Sequence, residues 1–253
     1  MRAPGTDRVA GGSSSSNPCT PVQGGGDFSM SRGNNLDRCA QCRMHATLCI
    51  CGLIPRLETR TRLVLLVHYL EARKPTNTGQ LAAQCLVRSS VEVIGEQDHR
   101  AALPALERDE QPLLLYPAED AVSIEAYANH ERPVMLIVPD GTWRQANKMR
   151  RRLPGLAAVP CVILPEAGRT EYRLRSEHHA GGLATLEAIA RALRVLEGDA
   201  GVATEGALLE LFRIMVARTL WLRGQLGNHE VTSGVPDAAR EANPRSTRAR
   251  RVS

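Results

Sequence analysis

Apolar positions in this chain fall into two recurring patterns. Short continuous runs occur at Thr61 to Tyr69, Val91 to Ile94, Leu113 to Tyr116, Val134 to Val138 and Cys161 to Leu164. Runs of this length, rich in Val, Ile and Leu, predict strands buried on both faces. Between them lie segments of helical character. A helix is expected from Gly79 to Arg88, a turn or two at Ala101 to Arg108, and another helix at Ala121 to Ala128. A further helix opens at Thr142 and is stopped by Pro154-Gly155. Leu183 to Leu196 places Leu183, Leu186, Ile189, Ala190 and Leu193 on one stripe, and Glu205 to Gly224 does the same with Leu208, Leu211, Phe212, Met215 and Leu222. Strand and helix alternate. The expected fold class is therefore α/β, a mostly parallel sheet covered by helices on both faces.

The ends lack such periodicity. Residues 1–35 are rich in Gly, Ser and Pro, and residues 228–253 are polar with Arg240, Arg245, Arg248, Arg250 and Arg251. Both are expected to be disordered tails, because neither buries enough apolar surface to offset ordering. Between them the pattern predicts a cysteine module at 36–58 and a single α/β domain at 59–227.

Composition narrows the functional classes. The chain is 43% hydrophobic but only 3% aromatic, which argues against a row of aromatics for stacking single-stranded RNA. A net charge of +5 and a pI near 9.0 are consistent with a polyanionic partner. No apolar run approaches the length of a membrane span, and the first residues lack a secretory apolar stretch, so a soluble cytoplasmic protein is expected. Oligomeric state is not legible.

Four of the seven cysteines cluster as Cys39, Cys42, Cys49 and Cys51, spaced C-x2-C-x6-C-x-C. Two closely paired sets of thiols suit tetrahedral zinc, and four ligands leave no open position, so the predicted role is structural. The alternative is four reduced cysteines packed as small core residues.

The candidate chemistry lies elsewhere. The strand at Val134 to Val138 ends in Pro139-Asp140-Gly141, and a helix follows at once, which sets Asp140 at the carboxyl edge of the sheet, where open α/β folds bind ligands. Arg144, Lys148, Arg151 and Arg152 share a face of that helix, suited to phosphates. Asn77, Thr78 and Gly79 start another helix, with N–H groups and hydroxyls suited to an anion. A long polar loop, Pro165 to Gly182, carries Arg169, Arg173, Arg175, His178 and His179. Thr185 and Glu187 open the helix beyond it, and Glu187 has an alternative reading as a complement to the helix dipole. No strand-linked G-x-G-x-x-G or G-x-x-x-x-G-K-[ST] is present, so ordinary dinucleotide and P-loop sites are not indicated.

Taken in order, the four-cysteine cluster, the HYLEARKPTNTG loop, the DGTW string at 140–143, the YRLR segment at 172–175 and the ATLEA helix start resemble successive motifs of the DTW-domain family. The resemblance covers roughly Cys39 to Gly224. It implies transfer of a 3-amino-3-carboxypropyl group from S-adenosylmethionine to N3 of a tRNA uridine, and a SPOUT-like fold with a knotted cofactor pocket. On it, Asp140, Thr142 and Trp143 are the catalytic candidates, with Asp140 as base if burial raises its pKa. Asn77, Thr78, Gly79, Pro139, Thr185 and Glu187 are candidates for holding the cofactor. Trp143 has two readings, against the adenine or in the core. Arg144, Lys148, Arg151, Arg152, Arg173 and Arg175 are candidates for tRNA contact. Two departures stand out: Ala184 occupies a position where the family usually has Ser, and Tyr69 one where Pro is common. An S-adenosylmethionine-dependent methyltransferase and a non-catalytic zinc-bearing RNA-binding protein remain as alternatives.

Overall fold

The computed structural model describes residues 38–95, 109–165, 170–174 and 182–242. Six strands form one sheet: β1 (Arg62–His68), β2 (Ser89–Ile94), β3 (Gln111–Leu115), β4 (Val122–Ser123), β5 (Val134–Asp140) and β6 (Cys161–Ile163). Their order is β2-β1-β5-β3-β6-β4, and every neighbouring pair is parallel. The helices are α1 (Tyr69–Ala72), α2 (Thr78–Cys85), α3 (Trp143–Arg152), α4 (Thr185–Leu196), α5 (Asp199–Leu222) and α6 (Asp237–Ala242).

The central strands are apolar on both faces because both faces are covered. Leu63, Leu65, Val67, Leu136 and Val138 point into a core shared with α2, α4 and α5. Val64, Leu66, Met135 and Ile137 point the other way, onto Met149 and Leu153 at α3. Each fully buried Leu or Ile contributes about 1.5–3 kcal/mol, so these two strands anchor the fold.

The connections fix where a site can form. The chain leaves β1 toward the β2 edge of the sheet and leaves β5 toward β6, on the other side. The carboxyl ends of β1 and β5 therefore flank a topological switch point, where crossovers diverge and open a crevice. At the opposite edge of the sheet, buried Glu110 is bracketed by Arg62 at 2.5 Å and Arg88 at 3.3 Å. That charge cluster is structural.

Three elements differ from expectation. Ala121 to Ala128 is no helix but β4 followed by a 3-10 turn at Ile124–Tyr127. Ser123 accepts a hydrogen bond from the Glu125 N–H, and Ile124 alone is buried there, so the stretch lacks the stripe a helix needs. Helix α5 starts at Asp199, six residues earlier than Glu205. It can do so because Gly201 lies against α4, where a Cβ would come within 2.4 Å of the Arg194 carbonyl. The chain after Asn228 also packs. Val231, Val235 and Ala239 join the core at a spacing of four residues, and Trp221 Nε1 donates to Asn228 Oδ1 at 2.7 Å. The turn expected at Ala101 to Arg108 and the arginines beyond residue 242 lie outside the described residues. No described helix is long and apolar enough to cross a membrane.

Candidate active site

Asp140 is the last residue of β5 and pairs in register with Val67 of β1. Alternation along the strand turns it to the α2/α4 face, the side of Leu136 and Val138. Two helices begin there. Asn77 caps α2, its Oδ1 accepting from the Gln80 N–H at 2.8 Å while its Nδ2 donates to Asp140 Oδ2 at 2.5 Å. Thr185, the first residue of α4, donates its hydroxyl to Asp140 Oδ1 at 2.6 Å. The two helix starts also touch each other, the Leu186 N–H donating to Thr78 Oγ1 at 3.4 Å.

One carboxylate thus lies between two helix N-termini, whose dipoles favour negative charge. It is 8% exposed. Gly79 makes room for it, since a Cβ there would lie 3.0 Å from Asp140 Oδ2 and 3.1 Å from Leu65. Asn77, Thr78, Gly79, Asp140 and Thr185, drawn from three separate stretches of sequence, converge.

Glu187 is two residues further into α4 and only 1% exposed. Its carboxylate accepts from the Ala184 N–H at 2.8 Å, the Thr170 hydroxyl at 2.6 Å and the Glu171 N–H at 2.7 Å. Ala184 has no polar side chain with which to cap α4; Glu187 holds the Ala184 N–H, and Thr78 accepts from the Leu186 N–H in place of a cap side chain. It also ties down the 170–174 segment, where the Tyr172 hydroxyl donates to the Thr76 carbonyl at 3.2 Å and its ring stacks on Phe212. Arg173 is exposed; Arg175, His178 and His179 lie outside the described residues.

On the other face of the sheet, His68 ends β1. Its Nδ1 accepts from the Leu70 N–H at 3.3 Å and faces Gln145 Nε2 at 3.1 Å, which leaves the ring proton on Nε2. Burial holds this imidazole below its usual pKa of 6.5, with Glu71 opposing and Lys148 reinforcing the shift. Gln145 in turn closes a capping box with Thr142 at the start of α3. Thr142 is thus the α3 cap. Trp143 beside it is 62% exposed, which excludes the core reading. Its ring meets Tyr116 edge-on at 6.3 Å. Arg144, Lys148, Arg151 and Arg152 are all exposed on α3, while Ala146 and Met149 face inward. An open depression of about 460 Å³ between Tyr116, Asp120, Asn147 and Arg150 lies on this side, and Asp140 does not line it. Pro139 is half-buried on the same strand.

The four cysteines meet in a separate corner. Their sulfurs all lie within 4.8 Å of one another, with Cys39–Cys51 at 3.4 Å and Cys42–Cys49 at 3.6 Å. Zinc–sulfur bonds of about 2.3 Å set a tetrahedral edge of roughly 3.8 Å, so the donor set fits such an ion. Burial alone would raise the Cys39 thiol, but the N–H groups of Cys42 and Gln41 bring it down to about 6, while burial pushes Cys42 up to about 11. Four such groups packed together ionise jointly only around a cation.

Sequence reasoning missed several contributors. Gln145 was legible as the fourth residue of a Thr-x-x-Gln capping box. Thr170, Tyr172 and Tyr116 gave no local signal, since their roles depend on long-range packing.

Comparison with known proteins gives a consistent picture. A family model described as the DTW domain matches residues 36–220. The chain is 30% identical over 172 residues to tRNA-uridine aminocarboxypropyltransferase 2 of Drosophila melanogaster, covering 65% of this chain and 68% of that protein. The protein of the same name from Mus musculus is 28% identical over 203 residues, with 77% and 67% covered. The tRNA-uridine aminocarboxypropyltransferase A of Arabidopsis thaliana is 27% identical over 226 residues, with 70% and 79% covered. No solved structure matches the chain.

Proposed function

This chain belongs to the DTW-domain family, and from that premise we propose that it transfers an aminocarboxypropyl group to a uridine of tRNA. S-adenosylmethionine is the proposed donor and uridine N3 the proposed acceptor atom. The observation that carries the reading is the placement of Asp140, held at a switch point between the starts of α2 and α4. When bound, the donor would supply an aminocarboxypropyl carbon made electrophilic by its sulfonium, with the sulfur leaving as a neutral thioether as that carbon bonds to nitrogen.

The residues have separate tasks. Asp140 accepts the uridine N3–H on a carboxylate lone pair other than those that Asn77 and Thr185 occupy, and takes that proton as the N3–carbon bond forms. Asn77 and Thr185 orient the carboxylate, and with Thr78, Gly79 and Pro139 they shape the donor's seat. Most of the rate comes from alignment of the nitrogen, carbon and sulfur, because the carbon is already electrophilic. Glu187 acts through the backbone it holds. Thr142 fixes the start of α3, and Trp143 stands next to its exposed cations. Arg144, Lys148, Arg151 and Arg152 contact tRNA phosphates, a role supported by the basic face of α3, and Arg173 and Arg175 are proposed to extend that contact from their own loop. Cys39, Cys42, Cys49 and Cys51 hold a structural zinc, supported by their sulfur spacing. A knotted, SPOUT-like donor pocket is part of the proposal on the family resemblance.

The test is to incubate the protein with tRNA and S-adenosylmethionine and identify both products. Methylthioadenosine together with aminocarboxypropyl-uridine supports the proposal. Adenosylhomocysteine with a methylated base would instead identify a methyltransferase, and no turnover would leave an RNA-binding protein.

A further inference from the structure

Helix α5 carries one arginine that no described carboxylate answers. Arg218 is 6% exposed. Its Nη1 donates to the backbone carbonyls of Leu48 at 3.3 Å and Cys49 at 2.8 Å, while its buried Nε has no partner. Arg213, on the same helix, behaves differently: it is exposed at its tip and forms a two-point pair with Glu171 at 2.7 and 2.8 Å. A guanidinium as deep as Arg218 is strongly unfavourable unless an anion lies nearby. Two carbonyl dipoles do not amount to one.

The missing anion has an evident source. Both accepting carbonyls belong to the turn that delivers Cys49 to the sulfur cluster. Four thiolates around a divalent ion leave two negative charges in excess, in a corner where Cys39 and Cys42 are buried. Of the other arginines of this module, Arg38 is turned to the Arg43 carbonyl, Arg43 to the Ala72 carbonyl, and Arg56 is exposed. His45 is engaged by Thr47. The buried cation and the anionic cluster each need a counter-charge, and Arg218 is bonded to the turn that carries one of the four sulfurs.

We propose that Arg218 is the counter-charge of the metal centre: it offsets the excess negative charge of the four thiolates and fastens their loop to α5. This rests on the assignment of zinc to the four cysteines. Arg218 is a positioning residue and touches no substrate. Its charge matters as well as its hydrogen bonds, so a neutral donor in its place holds the metal less well than a lysine does.

The full chain loaded with zinc tests this through metal release to a colorimetric chelator, with zinc per chain measured independently. Arg218→Gln keeps donors but loses the charge, and it should release zinc at least about tenfold faster than the unmodified chain. Arg218→Lys keeps the charge and should stay within a few-fold. Arg213→Gln, a charge loss on the same helix away from the cluster, should change nothing. Cobalt substitution checks that all four thiolates still bind in each variant. Equal release from the Gln and Lys variants, or a Gln variant as slow as the unmodified chain, overturns the proposal. Should Arg218→Gln not fold, Arg218→Lys decides against Cys49→Ser, and release as fast as from that ligand-deleted variant overturns it. An unmodified chain that takes up no zinc rejects the zinc assignment itself, and this proposal with it.

Discussion

At Asp140 a single side chain joins structure to the proposed chemistry. Its oxygens are each met by a donor from a different helix start, so the residue braces the candidate site whatever else it does there. Asp140→Asn would set an amide N–H against either Asn77 or Thr185, taking the acceptor from one half-buried donor at about 1–3 kcal/mol. The expected outcome is a lowered melting temperature together with a loss of about a hundredfold or more in kcat/KM. Thr185→Val removes one hydrogen bond while keeping the shape, and should cost about 1 kcal/mol in a denaturant titration. His68 adds a pH dependence. Its native pKa lies below the unfolded value of 6.5, so above that value both states are neutral and nothing changes. As pH falls below about 6.5 the unfolded chain gains the proton first, and stability declines until the native ring also titrates. His68→Gln should flatten that limb of a stability–pH profile, and an unchanged limb would assign it to other groups.

Among the elements, the starts of α2, α3 and α4 do most of the positioning, and each uses a different cap. Asn77 and Thr142 are ordinary side-chain caps that the sequence displays openly. Helix α4 is unusual because Ala184 leaves its capping to Thr78 of α2 and to Glu187, which also binds Thr170 and Glu171. Glu187→Gln places an N–H where only acceptors fit, so hydrogen exchange at residues 170–174 and 184–187 should accelerate clearly more than elsewhere. Uniform exchange across the chain would mean that Glu187 does not hold that segment. Helix α3 is tested by salt. Replacing Arg144, Lys148 and Arg151 together by Gln should weaken tRNA binding and reduce the slope of log affinity against log salt by about one for each phosphate that α3 no longer neutralises. An unchanged slope would move the RNA footprint off α3. Trp143, exposed at the head of that helix, has two readings in the sequence because strand-to-helix junctions present side chains either way.

Across the whole molecule, the parallel sheet and its two helical layers were legible because β1, β5, α4 and α5 carry unmixed apolar patterns. The strand order was not, since it depends on crossover direction, which no local pattern encodes. The packed chain after Asn228 was hidden too. Val231, Val235 and Ala239 are three small or medium apolar residues in a polar stretch, and they count only because the core offers them a seat. The convergence at Asp140 was half legible: each residue could be named, but the bridging by Asn77 and Thr185 depends on the fold that brings distant stretches together. The proposed zinc would act at this scale. Chelation of zinc should lower the melting temperature of the full chain, because the module packs on α5 and α6 through Leu48, Cys49 and Met44; an unchanged melting temperature after verified zinc removal would show that the module adds no stability. The most direct measurement is product identity from purified protein, tRNA and S-adenosylmethionine, read by mass spectrometry of nucleosides and of the spent donor. The expected result is aminocarboxypropyl on uridine N3 with methylthioadenosine in equal amount, abolished by Asp140→Asn. Methyl transfer with adenosylhomocysteine, or unmodified uridine with intact donor under conditions where the tRNA is bound, would contradict it.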